Sequence, residues 1–594
     1  VEGDVHAARV GIGILGLLPF SACAVREDAS PPSVTDTPPV ALSPARLAVR
    51  TSMAVRGHLP SLAELEAVDA DPSALSDLID VWLESPAFLE VVKDYHAELL
   101  LVRADGIDPL PALGPLEGTP LSKVFAAHSE EPLELVGHLV AEHRPYGQIL
   151  QSHTMWTNET LATLYGLAWD PTGPAWQETT WSDLRPRAGL LSSAELWRRH
   201  ESAGSNFQRL RANFLADAFL CESFANRDIV VGAEVTISDE LAVSEAVQTD
   251  PGCVACHQGL DPLASFLWGF HGRFKGNFTA RAYADGCDAT WDADAPTDEP
   301  PSSFCYPIRG YLPEARHDWA TWNLRPPAFY GQPGDDLTDL GAMMVDDPRF
   351  ALCAARRWSA WLTQREPDDV GFAEVVRLRD AFVDADLELR ALVRAIVTQP
   401  SFALAEGGDD AIPLLLVRPE AYARTLEAET GFAWRATQDA PGCERGTEAY
   451  GSTCWGEVDL MRSDRFGYRS MFGGVDGNLV TRPTHTATPT RELVGTRFAL
   501  EAAAYAFDHD RAAVAADRRL LPAPDDASAV TTTLTGLLRR FLGDPPSDDT
   551  VAAFVRLWND AHARATAEGD GDPLRRAWVL TLAAVFLDPA LWWV

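Results

Sequence analysis

Residues 252–263 read Gly-Cys-Val-Ala-Cys-His-Gln-Gly-Leu-Asp-Pro-Leu, with two cysteines two residues apart and a histidine directly after the second. Two thiols at this spacing reach the vinyl groups on adjacent pyrroles of a porphyrin. The histidine that follows then lies under the ring, where its imidazole meets the iron. The stretch therefore predicts one covalently bound haem c, attached through Cys253 and Cys256, with His257 as the proximal iron ligand. Nine cysteines and 14 histidines occur in 594 residues, so chance yields this triplet in on the order of one in a few hundred such chains. The same residues also permit a zinc clip, or a motif that holds nothing. A zinc site needs a second pair of ligands, and the sequence has no second CxxC, no HxxxH and no CxH. Haem is the expectation that follows.

An electron-transfer haem needs a ligand on its other face, most often Met or His. Met343 and Met344, adjacent in a chain with six methionines, are the distal candidates, and His271 is the next. Two methionines in helical text are more often core filler. Arg209 and Arg273 are candidates for two-pronged hydrogen bonds to the haem propionates, or else ordinary structural arginines. No residue stands out as a distal acid–base group, which a peroxidase-like reaction at an open iron would need. Hydrolase and phosphate-loop signatures (GxSxG, HExxH, Walker A) are absent from the sequence.

Haem attachment of this kind takes place outside the cytoplasm, and the N-terminal text agrees. Residues 10–20 are apolar over the length of a signal-peptide core, too short for a membrane span. Phe20-Ser21-Ala22-Cys23 then resembles a bacterial lipoprotein signal, with Cys23 the lipidated residue; an apolar helix with an incidental cysteine is the alternative. Residues 26–45 are rich in Pro, Ser and Thr and read as an unfolded tether. An exported lipoprotein facing the periplasm or standing on the outer-membrane surface is expected. Six cysteines remain. Cys287–Cys305 and Cys443–Cys454 would close local loops, and Cys221–Cys353 would form a long-range staple. Fifteen pairings are open on sequence alone, and Cys221 and Cys353 equally suit buried thiols. The net charge of −37 argues against nucleic acid and against docking to anionic lipid. It complements a basic redox partner protein, or simply keeps the chain soluble.

The elements that must carry these residues are mostly helical. Three stretches share one plan: 52–98, 361–402 and 537–591. Each has a Pro-opened helix, a second apolar helix and a closing Pro-small-Phe or Pro-small-Leu. In the first, Ser61 and Glu64 form a capping box. Residues 276–334 are rich in Pro, Asp and aromatics and predict loops with a short hairpin pinned by Cys287–Cys305. The Gly473-Gly474 and Asp476-Gly477 pairs mark tight turns in 466–490, a structured loop or a second functional surface. The expected fold is mainly α, with several helical bundles or hairpins, a cytochrome-c-like haem-motif segment and a small disulfide-pinned loop or β insertion. Its parts are a signal peptide (1–23), a linker (24–45), an N-terminal helical module (46–105), a central helical domain (106–230), the haem-motif segment (231–334), a helical module (335–405) and a C-terminal helical domain (406–594).

Several of these stretches together resemble the planctomycete-type cytochrome c family, large secreted CxxCH proteins assembled from domains of unknown function. Residues 56–88 are similar to that family's N-terminal helical domain; 154–167, 187–197 and 208–221 resemble its central domain. Residues 253–274, in which CxxCH is followed by Asp-Pro and an aromatic-Gly-Arg patch, resemble its haem-motif segment, and 349–402 the domain after it. The likeness covers about residues 46–405, with a looser likeness at 466–490. Three departures stand out: Glu222-Ser223-Phe224 onward replaces a proline-rich stretch, Phe270-His271 replaces aromatic-Asp, and the loop with Cys287 and Cys305 looks inserted. The resemblance implies architecture more than chemistry; the motif and the N-terminal text point to one covalent haem and an exported location, with electron transfer or a redox step as the first functional class. A haem-dependent peroxidase-like oxidoreductase, or a non-redox surface-binding or scaffolding lipoprotein associated with carbohydrate, remain the other functional classes.

Overall fold

The structure is a computed structural model that describes residues 40–103, 114–116, 118–200, 202, 206–226, 239–270, 279–282, 303–308, 310–322, 324–406, 412–439 and 454–594. Helices dominate, as the apolar spacing predicts. The N-terminal part holds α1 (Pro44–Arg56), α2 (Leu62–Ala70), α3 (Ala74–Leu83) and α4 (Pro86–Leu100). The capping box at the start of α2 is formed: the Ser61 hydroxyl accepts from the Glu64 amide and the Glu64 carboxylate from the Ser61 amide. The helix α5 (Leu121–Ala141) runs through the middle of the fold and packs on α4 and on three short helices, α6 (Gln148–Gln151), α7 (Glu159–Tyr165) and α8 (Ala194–Arg199). Next come α9 (Arg209–Leu220), α10 (Glu240–Thr249) and α11 (Pro251–Ser265), followed by α12 (Leu337–Asp346), α13 (Pro348–Thr363), α14 (Phe372–Asp384), α15 (Leu389–Val397) and α16 (Pro419–Thr430). The C-terminal helices include Pro489–Ala512, Val530–Leu542, Asp548–Ala567 and Pro573–Phe586. Among the described residues no helix is long and apolar enough to cross a membrane.

The three repeated stretches are helical pairs. The helices α2 and α3 pack together, as do α14 and α15, and as do Asp548–Ala567 and Pro573–Phe586. In each pair the second helix stops just before a proline that opens the next element, at Pro86, Pro400 and Pro589. Proline disfavours helical backbone in the residue before it, while its own fixed φ suits the first position of a new helix.

Strands occur among the described residues only as two-stranded pairs. The strand β1 (Val40–Ala41) joins β8 (Leu404–Glu406), β2 (Met155–Thr157) joins β3 (Gln177–Thr179), and β4 (Thr279–Ala282) joins β5 (Ser303–Tyr306). The strand β6 (Ala328–Phe329) joins β7 (Gln332–Pro333), and β9 (Arg435–Asp439) joins β10 (Cys454–Asp459). The pair β4–β5 is parallel, with Thr279 opposite Ser303 and Arg281 opposite Cys305. The short hairpin among the described residues of 276–334 is the antiparallel pair β6–β7, closed by Tyr330 and Gly331, whereas β4 and β5 run parallel. Twenty residues separate β4 from β5, enough for the crossover that parallel pairing requires, where a tight turn would have made them antiparallel. Cys287 lies outside the described residues. The Pro-rich linker ends earlier than expected, since Val40 and Ala41 are in a strand and Ser43 caps α1.

The expected domain boundaries near 105 and 405 do not separate independent cores. Buried apolar side chains from Ala45 to Val594 form one contiguous cluster. The helix α1 is the reason. Arg50, wholly buried, donates to the main-chain oxygens of Phe402 (3.0 Å), Leu404 (3.0 Å), Pro413 (3.1 Å) and Val594 (3.2 Å). One turn earlier, Arg46 donates to Leu542 (2.8 Å), Ala590 (2.8 Å) and Trp593 (2.6 Å). Burial pulls the Arg50 pKa down to about 10. Two guanidinium groups on one helix face thus satisfy carbonyls from three distant parts of the chain, groups that would be costly to bury unpaired.

A second buried polar layer joins α5 to α8. His128 Nδ1 lies 3.0 Å from Glu195 Oε2, and Arg198 Nε donates to the same Glu195 oxygen at 3.0 Å. The Ser193 hydroxyl donates to Glu131. Burial pushes Glu131 up to about 7, against the opposing hydrogen bond from Ser193 and the charge of Arg185. The folded chain therefore holds a proton that the unfolded chain, near the ordinary 4.5, has released. Between these values stability falls as pH rises, and above them the penalty is constant. Glu131→Gln should raise the unfolding free energy at pH 8 by up to about 3 kcal/mol and by much less at pH 5. Urea denaturation of both proteins at the two pH values checks this; equal differences at both would contradict it.

Candidate functional site

The motif lies on the first two turns of α11. Asp250 caps this helix, its Oδ1 accepting from the amides of Gly252 (2.9 Å) and Cys253 (3.2 Å), and Pro251 occupies the first helical position. Helix geometry then places Cys253, Cys256 and His257, at i, i+3 and i+4, on one face. Cys253 is half-buried and Cys256 is buried; neither is in a disulfide. Partial burial and the neighbouring Asp250 carboxylate push the Cys253 thiol up. Among the described residues no three His, Cys, Asp or Glu side chains gather as a metal-ligand group.

One turn on from His257 stands Asp261, whose side chain is 1% exposed. Its Oδ1 lies 2.8 Å from His257 Nδ1 and accepts from Arg209 Nε at 2.7 Å; its Oδ2 accepts from Arg209 Nη2 at 3.3 Å and Arg325 Nη1 at 3.1 Å. Burial alone would raise the Asp261 pKa. The hydrogen bonds from His257 and Arg209 outweigh it and hold the carboxyl below its ordinary value. An ionised carboxylate only accepts, so His257 Nδ1 carries the hydrogen. In the neutral ring the lone pair is then on Nε2, which has no hydrogen-bond partner among the described residues. A histidine oriented through one ring nitrogen by a carboxylate, with the other nitrogen available, is the usual preparation of a metal ligand. The donor set therefore fits haem c: two unbridged thiols on one helix face and a tautomer-fixed imidazole beside them.

Three elements converge to hold Asp261. Arg209 opens α9, after Phe207 and Gln208 turn the chain through left-handed backbone (φ 52° and 65°). The Gln208 amide donates to Phe270 at 3.2 Å and its carbonyl accepts from Arg211 at 2.7 Å, which fixes this turn. Arg325 reaches across from the segment before β6 and also donates to the carbonyls of His257 and Val247, both at 3.3 Å. Ser265 Oγ donates to the Arg325 carbonyl at 2.7 Å. Arg209 is thus engaged on Asp261 rather than standing free for a propionate.

The other expected residues fall as follows. Met343 and Met344 are buried on α12. The Met343 methyl packs where Gly334 and the Phe266 ring meet, and Phe266 is nine residues beyond His257, about 13 Å along the helix. The Met343 methyl thus sits beside the far end of α11 from His257. Cys221 and Cys353 form a disulfide, tying the end of α9 to α13. Cys454 is disulfide-bonded, but its expected partner Cys443 lies outside the described residues. So do Cys23, His271, Arg273 and Cys287. Cys305 lies on β5. The Gly473–Gly477 stretch is an ordered turn: Asp476 Oδ1 accepts from the amides of Asn478 (2.9 Å), Leu479 (2.7 Å) and Val480 (2.7 Å). Sequence reasoning assigned no role to Asp261 or Arg325. The i, i+4 spacing from His257 was the available signal for Asp261; Arg325, 68 residues from His257 in the chain, gave none.

Comparison with protein-family models, with curated proteins and with solved structures gives no match.

Asp261→Asn leaves two arginines around a neutral amide. Removing one partner of a buried ion-pair group is costly; with both arginines partly exposed, the unfolding free energy should fall by roughly 2–3 kcal/mol. Because the carboxyl is held low, its contribution is present above the unfolded carboxylate range and is lost as pH falls through the folded value. The variant should therefore lose less stability than the wild type on acidification below about pH 4. Chemical denaturation between pH 3 and pH 7 measures both effects.

Proposed function

We propose that this chain is an exported c-type cytochrome-like protein that carries one covalent haem and serves electron transfer or a redox step. The observation that carries the reading is His257, fixed through Nδ1 on the buried Asp261 carboxylate and flanked on its helix face by two unbridged thiols. Cys253 and Cys256 would attach the group and His257 Nε2 would ligate its iron. A haem bound there supplies reversible one-electron chemistry. The chain's own part is positional. Asp250 and Pro251 start the helix at the motif, Asp261 holds the imidazole plane, and its negative charge makes the ring a stronger donor. Arg209 and Arg325 keep that carboxylate ionised.

Further support comes from the Cys221–Cys353 disulfide, a bond that persists in oxidising compartments. Lipidation at Cys23, a place facing the periplasm or on the outer-membrane surface, and membership of the planctomycete-type cytochrome c family belong to the same proposal. They rest on the sequence resemblances alone. The excess of acidic residues suits a basic redox partner, drawn by long-range attraction that salt would weaken.

The test is Cys253→Ser with Cys256→Ser, made beside the wild type in a host with haem-attachment machinery. Intact-mass measurement should find one haem on the wild type, resistant to acid extraction, and none on the double variant. Far-ultraviolet circular dichroism should be unchanged, since the two side chains occupy one end of one helix. Full haem retention by the double variant, or a wild type without added mass, would contradict the proposal.

A further inference from the structure

A cavity of about 560 Å³ opens where α5, α6, the β2–β3 pair and α12 meet. None of its lining residues belongs to α9, α10 or α11, so it is separate from the motif. Its size lies within the roughly 300–1,000 Å³ typical of small-ligand sites. One wall is aromatic: the rings of His138, on α5, and Trp156, on β2, stack with centroids 3.3 Å apart and planes 4° from parallel. Glu178, across the strand pair from Trp156, also lines the cavity. Opposite are two amides on α6. Gln148 Nε2 donates to Gln151 Oε1 at 3.3 Å, which leaves the Gln148 carbonyl and two Gln151 N–H groups for a ligand.

The cavity is built rather than incidental. The helix α12 forms one side of it and sits hard against α6: a Cβ on Gly341 would come within 2.2 Å of the Leu150 carbonyl oxygen. Only glycine permits that approach. The walls are therefore preformed, which lowers the ordering cost of binding.

Charge selects the class of ligand. Arg144 lines the cavity, but Glu142 stands 3.9 Å from it. Burial and the charge of Lys93 bring the His138 pKa down to about 4, so its ring is neutral near pH 7. Glu178 adds a negative charge. Beside Arg144 and His153, a phosphate or carboxylate ligand would meet the two carboxylates of Glu142 and Glu178. An apolar ligand would strip water from the amides without replacing their hydrogen bonds. What remains is a neutral molecule with apolar C–H faces for the ring stack and many hydroxyls for planar amides and a carboxylate. We propose that this cavity is a binding site for neutral carbohydrate of about two sugar rings. The proposal stands independently of the haem reading, because it uses none of that site's residues.

The experiment is a glycan array of neutral and acidic oligosaccharides probed with the labelled full chain, followed by calorimetric titration of the best neutral disaccharide. Neutral glycans should be retained in preference to acidic ones. Gln151→Ala, on a partly exposed helix surface, should weaken binding by about five- to tenfold, and Trp156→Ala should abolish it. If Trp156→Ala fails to fold, Gln151→Ala still decides. No binding to any neutral glycan, preference for acidic glycans, or unchanged affinity in Gln151→Ala would each overturn the proposal.

Discussion

The arrangement of the motif depends on one buried carboxylate. Asp261 collects an imidazole from its own helix, a guanidinium from the start of α9 and another from the segment before β6. Each partner alone would leave a charge poorly matched away from water; together they keep the carboxyl ionised and its position fixed. The consequence for chemistry is directional. Because the carboxylate can only accept, it dictates which His257 nitrogen carries hydrogen and which carries the lone pair. A neutral side chain at 261 would fit the same space without making that choice.

The rest of the fold holds Asp261's partners in place. The helix α9 is fixed at both ends, by Arg209 on Asp261 and by Cys221 in its disulfide to α13. The helix α13 belongs to the same core that α1 closes through Arg46 and Arg50. A long chain with one interior, rather than a string of separate bundles, follows from those two arginines. Each reaches main-chain oxygens that lie hundreds of residues away in sequence. The central helix α5 serves two surfaces at once, its buried His128–Glu131 face toward α8 and its His138 end toward the cavity with Trp156.

Much of the local structure was legible in the sequence, because its causes are local. The capping box at Ser61 and Glu64, the proline breaks at Pro86, Pro400 and Pro589, and the mainly helical character follow from spacing and backbone chemistry within a few residues. The Cys221–Cys353 bridge was one of fifteen possible pairings and was reached by counting. What could not be read was long-range. Nothing near Arg50 announces that it will meet Phe402 and Val594. The parallel pairing of β4 with β5 is not encoded in the alternation of residue types. At the site, the thiols and His257 are visible as a motif, whereas nothing in the sequence gives Asp261 its role. Arg209 reads equally as a propionate candidate or a structural arginine, because its carboxylate partner is 52 residues distant in sequence.

In the proposed function, His257, Cys253 and Cys256 hold a haem. The most direct test is a reduced-minus-oxidised absorption spectrum, with a pyridine haemochrome assay, on protein matured in a host that attaches haem c. A c-type α-band at one haem per chain is the predicted result. No haem signal, with Cys253 and Cys256 both titrating as free thiols, would contradict the account.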